Sequence, residues 1–171
     1  MKKILQLLLS FMLSVNMLFS QPCDDYISSE EDKTTGDKTY AGNDFINIIK
    51  EGDTTLRLLT LLVNHQKSMI LSLTTVKRIK CVDPADEIHF TFDDSTKYTL
   101  SGNQDFNCEG AFSIYLGDFK KNDDLLKLLF TKKVALVRLY CKAGVLEVNL
   151  SQANSDELFG EINCLNKLLK R

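Results

Sequence analysis

The chain has 171 residues, and its 21 lysines and arginines against 23 aspartates and glutamates give a formal net charge of −2. This weakly acidic balance argues against a nucleic-acid partner, which would require a basic patch on the surface. Hydrophobic residues make up 44% of the chain, and the length suits one domain with one hydrophobic core.

The N-terminus has the order of a secretory signal peptide. Two lysines precede an apolar run over residues 4–19, and Ser20 supplies a small residue at the expected cleavage point. We assign residues 1–20 to a signal peptide and expect the exported chain to begin at Gln21. The run is short for a membrane span, which needs about 20 apolar residues, and no later segment approaches that length. We therefore expect no transmembrane segment in the mature chain.

Cys23 raises the alternative of a lipid anchor, since bacterial lipoproteins carry a cysteine directly after the cleavage point. The three residues before it, Ser-Gln-Pro, do not match the apolar-then-small pattern of such sites. We therefore prefer plain export to the periplasm or the outside of the cell, and keep a lipidated Cys23 as the less favoured alternative.

Residues 21–38 form a polar, acidic stretch with very few apolar side chains. Such a segment has little surface to bury in a core, so we predict a flexible acidic leader here. The remaining residues, 39–171, are predicted to form a single α+β domain.

Apolar and polar residues alternate in several parts of this domain, which predicts half-buried strands. The clearest pattern is a hairpin in which Ile88, Phe90 and Phe92 share a face with Tyr98 and Leu100. Further strands are predicted over residues 111–116, 132–141 and 145–150.

Residues 56–63 are rich in leucine and fit a helix as well as a strand. We favour a strand because Met69, Leu71 and Leu73 alternate just after the polar stretch 64–67, which indicates a hairpin. The alternative of a helix stays open.

The C-terminus predicts an amphipathic helix. Asn154 is a suitable N-cap, because an asparagine side chain accepts a hydrogen bond from an N–H group of the first turn. The following apolar residues are spaced by four, three and four, which places them on one helix face. They are Leu158, Ile162, Leu165 and Leu169.

Together these elements predict an α+β fold. It consists of a mostly antiparallel sheet of about six to eight strands with β-hairpins, a short helix capped by Asn122, and the C-terminal helix packed on one face. Such a domain has a single core between sheet and helices.

No catalytic, cofactor-binding or metal-binding residue is assigned. The chain has two histidines, His65 and His89, no phosphate loop or nucleophile elbow, and cysteines too far apart for a typical zinc site. Acidic residues are numerous, but they lie in predicted loops and turns, where aspartate is favoured for backbone reasons. A non-catalytic protein is therefore the preferred interpretation, and the question of an enzyme stays open. The acidic residues considered are Asp83, Asp86, Glu87, Asp93 and Asp94.

Cys81 and Cys108 are predicted to form a disulfide. Pairing Phe92 with Tyr98 and extending that hairpin register leaves each cysteine one position from the residue opposite the other. A bridge needs Cα atoms within about 7 Å, which a small adjustment of the loops allows. The alternative is a pair of free, buried thiols, since cysteine packs as a small apolar residue.

The remaining cysteines are Cys23, Cys141 and Cys164. In an exported chain, cysteines spread this widely favour disulfides. One of the five must stay unpaired in a monomer, and we expect this to be Cys23, as a free or lipidated thiol in the leader. The pairing of Cys141 and Cys164 stays open, because spacing does not determine connectivity.

Four stretches follow the signal peptide in a characteristic order: the leader CDDYISSEEDKTTGDKTY, the segment DEIHFTFDDSTKYTL, the strand KKVALVRLY and a final helix ending in INCLNKLLK. This order resembles that of small exported proteins of Gram-negative bacteria, a family of unknown function. The resemblance implies export and this fold, and it carries no functional residue. We expect an exported binding or interaction module whose partner is an unknown protein or envelope component. The alternative is an envelope-directed hydrolase that uses acidic residues.

The signal-peptide assignment predicts the N-terminus of the native protein. N-terminal sequencing of protein from the envelope fraction should begin at or near Gln21, because cleavage follows the small residue Ser20. A native product that keeps Met1, or one acylated at Cys23, would contradict the assignment.

Overall fold

The computed structural model describes residues 22–50, 53–63, 68–76, 81–101, 106–117, 122–142 and 144–169. The predicted signal peptide, its cleavage point, the turn at 64–67 and His65 lie outside these residues. The described part of the chain contains ten strands in two sheets and two α-helices. The α+β class with a mostly antiparallel sheet is confirmed, and the strands exceed the six to eight expected.

The described residues contain the following elements, numbered in chain order. A short 3-10 helix, Cys23–Asp25, comes first. The α-helices are Asp123–Thr131 (α1) and Gln152–Leu169 (α2). The strands are Ile27–Glu31 (β1), Lys38–Gly42 (β2), Ile46–Lys50 (β3), Asp53–Val63 (β4), Ser68–Thr75 (β5), Glu87–Phe92 (β6), Lys97–Ser101 (β7), Ala111–Gly117 (β8), Val134–Cys141 (β9) and Gly144–Asn149 (β10).

The first sheet is antiparallel and has the order β1-β2-β4-β5-β8, with β3 also pairing with β4. The stretch 56–63 lies within β4, so the preferred strand interpretation is confirmed. A leucine-rich run suits this strand because β4 has neighbours along both edges, and packing outweighs the helix propensity of leucine. Its even-numbered side chains, from Leu56 to Leu62, are buried.

The second sheet has the order β10-β9-β6-β7 and contains the predicted hairpin, in a different register. Phe90 faces Tyr98 and Ile88 faces Leu100, two residues away from the predicted pairing. The three-residue turn lies at 93–95, one position earlier than the predicted register implies. Ser95 adopts a φ of 68° there, and its N–H group donates to the carbonyl of Phe92. Since the shift is an even number of residues, each side chain keeps its predicted face.

The side chains of both predicted cap residues bond to neighbouring strands, although Asn122 does occupy the N-cap position of α1 as predicted. The N–H group of Asn154 donates to Ser151 Oγ at 3.2 Å, so Ser151 caps α2, and the Asn154 side chain donates to the carbonyl of Asn47 on β3. Asn122 has a φ of 64°, makes no capping bond with its side chain, and instead donates to the carbonyl of Tyr115. The two asparagines thus tie the helix starts to neighbouring strands.

Helix α2 packs against β3 and β4 of the first sheet, β9 of the second, α1 and the N-terminal segment. Its predicted face is confirmed, with Leu158, Ile162 and Leu165 at most 1% exposed. Burial extends beyond this face to Glu161 and Cys164. The helix therefore joins the two sheets in one core and also has neighbours on its flank.

The prediction of a flexible leader is wrong for the described residues 22–38. After the 3-10 helix, β1 pairs with β2 over five residue pairs, and Asp32 closes the turn between them by accepting N–H bonds from Thr34 and Thr35. An edge strand gains backbone hydrogen bonds without burying its side chains, so the polar composition of β1 does not prevent its formation. The domain therefore includes this hairpin.

The packing of α2 predicts unequal effects of two alanine substitutions. Ile162→Ala should lower the free energy of unfolding by about 2–4 kcal/mol, because it removes buried methyl groups and leaves a cavity. Lys167→Ala, at an exposed position of the same helix, should change it by less than about 0.5 kcal/mol. Urea unfolding followed by circular dichroism measures both, and equal losses would show that the helix face is assigned incorrectly.

Candidate functional site

The second sheet has one face in the core and one face turned to solvent. Even-numbered side chains of β6 and β7 pack inward, as do Val137 and Leu139 of β9. The register places the remaining side chains in three rows across β7, β6, β9 and β10, which we call the outer face. The rows are Ser101–Glu87–Tyr140–Val145, Thr99–His89–Arg138–Glu147 and Lys97–Thr91–Leu136–Asn149.

Arg138 is at the centre of the outer face. Its guanidinium donates to the Glu147 carboxylate on β10, with Nε at 2.6 Å from Oε2, and to the Tyr140 hydroxyl at 3.2 Å. The side chains of Arg138 and Glu147 are 36% and 41% exposed, so water and partners reach both. These bonds hold the planar guanidinium in one orientation.

His89 joins the Arg138 network through its contact with the Tyr140 ring. Its Nε2 lies 2.8 Å from Glu87 Oε2, and its ring centroid lies 4.5 Å from that of Tyr140, with the planes tilted by 48°. The outer face thus combines two aromatic rings, hydrogen-bond donors and acceptors, and positive and negative side chains that largely neutralise each other. Such an arrangement suits recognition of a polar partner without a strong charge of its own.

The acidic residues considered for catalysis serve turns and ion pairs. Asp94 lies 2.7 Å from Lys132 and accepts an N–H bond from Thr96, and these contacts lower its pKa to about 2. Asp83 bonds to Lys142, which lowers its pKa, and buried Asp86 accepts the N–H bond of Asp83. Because their pKa values are lowered, Asp83 and Asp94 do not serve as general acids near neutral pH.

The structure contains the predicted Cys81–Cys108 disulfide, with Cα atoms 3.8 Å apart. The adjacent bridge between Val82 and Asn107 shows why: the two segments continue to pair beyond the end of the hairpin. The register there differs from that of the hairpin itself, and it places the two cysteines opposite each other.

The expectation of an unpaired Cys23 is wrong. Cys23 is bonded to Cys164 of α2, with Cα atoms 5.5 Å apart and 141 residues between them in sequence. This contact follows from the docking of the N-terminal segment on α2, which local patterns do not reveal. Cys141 is the free cysteine of the described residues, and burial together with nearby Asp86 raises the pKa of its thiol to about 12. A thiol held protonated in this way is a poor nucleophile.

The sequence analysis missed a buried carboxyl group. Glu161 is 1% exposed, and its Oε2 accepts a hydrogen bond from the Thr60 hydroxyl at 2.6 Å. Burial raises its pKa to about 7, and the charge of Glu157 acts in the same direction. The helical spacing offered a signal, since Glu161 lies three residues after Leu158 and four before Leu165, within the apolar stripe.

No protein-family model matches this chain, and searches of curated proteins and of solved structures return no significant match. Within the residues that the structure describes, no group of three or more histidine, cysteine, aspartate or glutamate side chains is placed to hold a metal ion. The helices of the described part are too short or too polar to cross a membrane.

The cysteine arrangement predicts a specific peptide map. In protein prepared under oxidising conditions and digested without reduction, one linked pair should contain Cys81 and Cys108 and another Cys23 and Cys164. Cys141 should react with iodoacetamide slowly until the protein is unfolded, because its thiol is protonated. Mass spectrometry measures all three, and rapid alkylation of Cys23 in the native protein would contradict the docking of the N-terminal segment.

Proposed function

We propose that the protein is an exported, non-catalytic binding or interaction module that contacts its partner through the outer face of the second sheet. The observation that carries this proposal is the network around Arg138, which orients a guanidinium, two carboxylates and two rings on a solvent-exposed surface. Arginine and tyrosine are frequent in the energetically important parts of interfaces, and orienting them beforehand reduces the entropy lost on binding.

Export to the periplasm or the outside of the cell is part of this proposal. It is supported by the basic, apolar, small-residue order of residues 1–20 and by two disulfides. Disulfides form and persist in oxidising compartments and are rare in the cytosol. We infer that the partner is a protein or another component of the envelope, and we place a lipid-anchored form behind plain export because Cys23 is engaged in a disulfide.

The alternative, an envelope-directed hydrolase that uses acidic residues, draws on Glu161, whose raised pKa is typical of a general acid. The carboxyl is 1% exposed, however, and backbone of Gly42 packs directly against it. A substrate would have to displace part of the first sheet to reach it. The exposed network of the outer face therefore supports binding better than it supports hydrolysis.

The outer face can be tested with matched surface variants. The mature protein is immobilised and exposed to envelope extract, in parallel with His89→Ala and Arg138→Ala. As the control we choose Lys127→Ala, whose side chain is 75% exposed on α1, away from the outer face. We expect the captured component to fall about tenfold or more with either outer-face variant, since hot-spot truncations cost about 2 kcal/mol or more. It should be unchanged with the control.

Thermal unfolding of each variant checks that the fold is intact. Equal capture by all four proteins would contradict the outer face as the contact surface. Release of soluble fragments from the extract by the wild-type protein, lost in Glu161→Gln, would favour the hydrolase instead.

A further inference from the structure

We propose that residues 22–42, which we call the N-terminal strap, are a proton-sensitive latch: the strap closes on α2 while the Glu161 carboxyl beneath it is protonated and lifts when that group ionises. The Cys23–Cys164 disulfide keeps the strap attached in both states. This device is independent of the outer face and of the function proposed for it.

The strap lies on one flank of α2 through three contacts. Cys23 is bonded to Cys164, the ring of Tyr26 packs directly against Gly160, and the backbone of Gly42 covers the carboxyl of Glu161. A Cβ atom added at Gly42 would lie 2.6 Å from that carboxyl group, so the fit leaves no space for a side chain or a water molecule there. The three helix positions fall within five residues, which places them side by side on the helix.

Among the residues that the structure describes, the carboxyl under the strap has a single hydrogen-bond partner and no positively charged neighbour. Thr60 of β4 donates to it, and among the described residues no lysine, arginine or histidine lies within ion-pair distance of Glu161. A neutral carboxyl needs only such partners, whereas a buried carboxylate without a cation is strongly disfavoured. The closed strap therefore favours the protonated form.

The groups that surround this flank of α2 do not offset an ionised carboxylate. The strap contributes carboxylates and two tyrosine rings, and Lys38 and Lys133 are engaged with other acids. The titratable groups are Asp24, Asp25, Tyr26 and Tyr40 from the strap, Glu31 with Lys38 at 3.5 Å from the β1–β2 hairpin, Glu157 from α2, and Lys133 with Asp156 at 2.6 Å where β9 meets α2.

Few backbone pairs hold the strap to the rest of the first sheet. Within the described residues β2 pairs with β4 over three residue pairs, and β1 pairs with β2 alone, whereas β4 pairs with β5 over eight residue pairs. The side chains of β1 from Ser28 to Glu31 are exposed. Ile27 and Tyr40 pack against the core, and they are apolar side chains that lifting the strap would uncover. Lifting leaves the edge of β4 at Leu61–Val63 without its neighbour.

The direction of the pH effect follows from the raised pKa of Glu161. Because the closed form binds the proton more tightly than an exposed glutamate, with its ordinary pKa of 4.5, closure is fully favoured below that value. The advantage is lost as pH rises through about 7. The latch is therefore closed in mildly acidic surroundings and loosened in mildly alkaline ones.

Amide hydrogen exchange of the exported chain, with both disulfides formed, tests the latch. Protection of the amides in Ile27–Glu31 and Lys38–Gly42, corrected for the intrinsic pH dependence of exchange, should fall about tenfold or more between pH 5.5 and 8.5. Protection in β6 and β7, which belong to the second sheet and do not pair with the strap, should change little. In Glu161→Gln the strap should show no pH dependence, because the amide keeps the hydrogen bond and does not ionise.

Glu157→Gln, one turn earlier on the same helix, serves as the matched control. It should keep the pH dependence of the strap with a midpoint at lower pH, because the charge of Glu157 contributes to the raised pKa of Glu161. Retention of that dependence in Glu161→Gln, or constant strap protection in the wild type, would overturn the latch. If Glu161→Gln does not fold, carbon NMR of the wild-type Glu161 carboxyl replaces it. The carboxyl and the strap amides should then titrate together, and a carboxyl that titrates without any change in the strap would equally overturn the proposal.

Discussion

The burial of α2 is the constraint on which the rest of this structure depends. Leu158, Ile162 and Leu165 reach the core between the two sheets, and burying three such side chains contributes about 5–9 kcal/mol of transfer free energy. Because contacts of α2 reach β3, β4 and β9, neither sheet completes its core without the helix. The C-terminal segment of the chain thus organises strands that precede it by up to about a hundred residues.

A helix buried on more than one side brings polar groups into the interior, and each of these has a specific partner. The Ser155 hydroxyl donates to the carbonyl of Val134 at 2.7 Å, and Glu161 accepts from Thr60. Within the described residues no fully buried side-chain nitrogen or oxygen lacks a hydrogen bond. These bonds specify the rotation and register of α2 on the sheets, since a shifted helix would leave the same groups unsatisfied.

The two surfaces that we connect with activity differ in how the fold supports them. The outer face rests on the second sheet, where backbone ladders of β6 and β9 fix the positions of His89 and Arg138, so its geometry is rigid. The N-terminal strap rests on an edge strand, a disulfide and one carboxyl group, so its geometry responds to the charge of Glu161. In small domains, a rigid scaffold commonly positions the binding residues, while segments of low local stability move.

The sequence by itself determined the features that depend on neighbours along the chain. The period of two identified the inward face of β6 and β7, and the helical period identified the core face of α2, because both follow from local backbone geometry. Tertiary structure decided what lies on the flank of α2: the partner of Cys23 is 141 residues away, and Thr60 lies 101 residues from Glu161. Burial at those positions is created by the approach of distant segments, so neither the composition of the leader nor the charge of Glu161 reveals it.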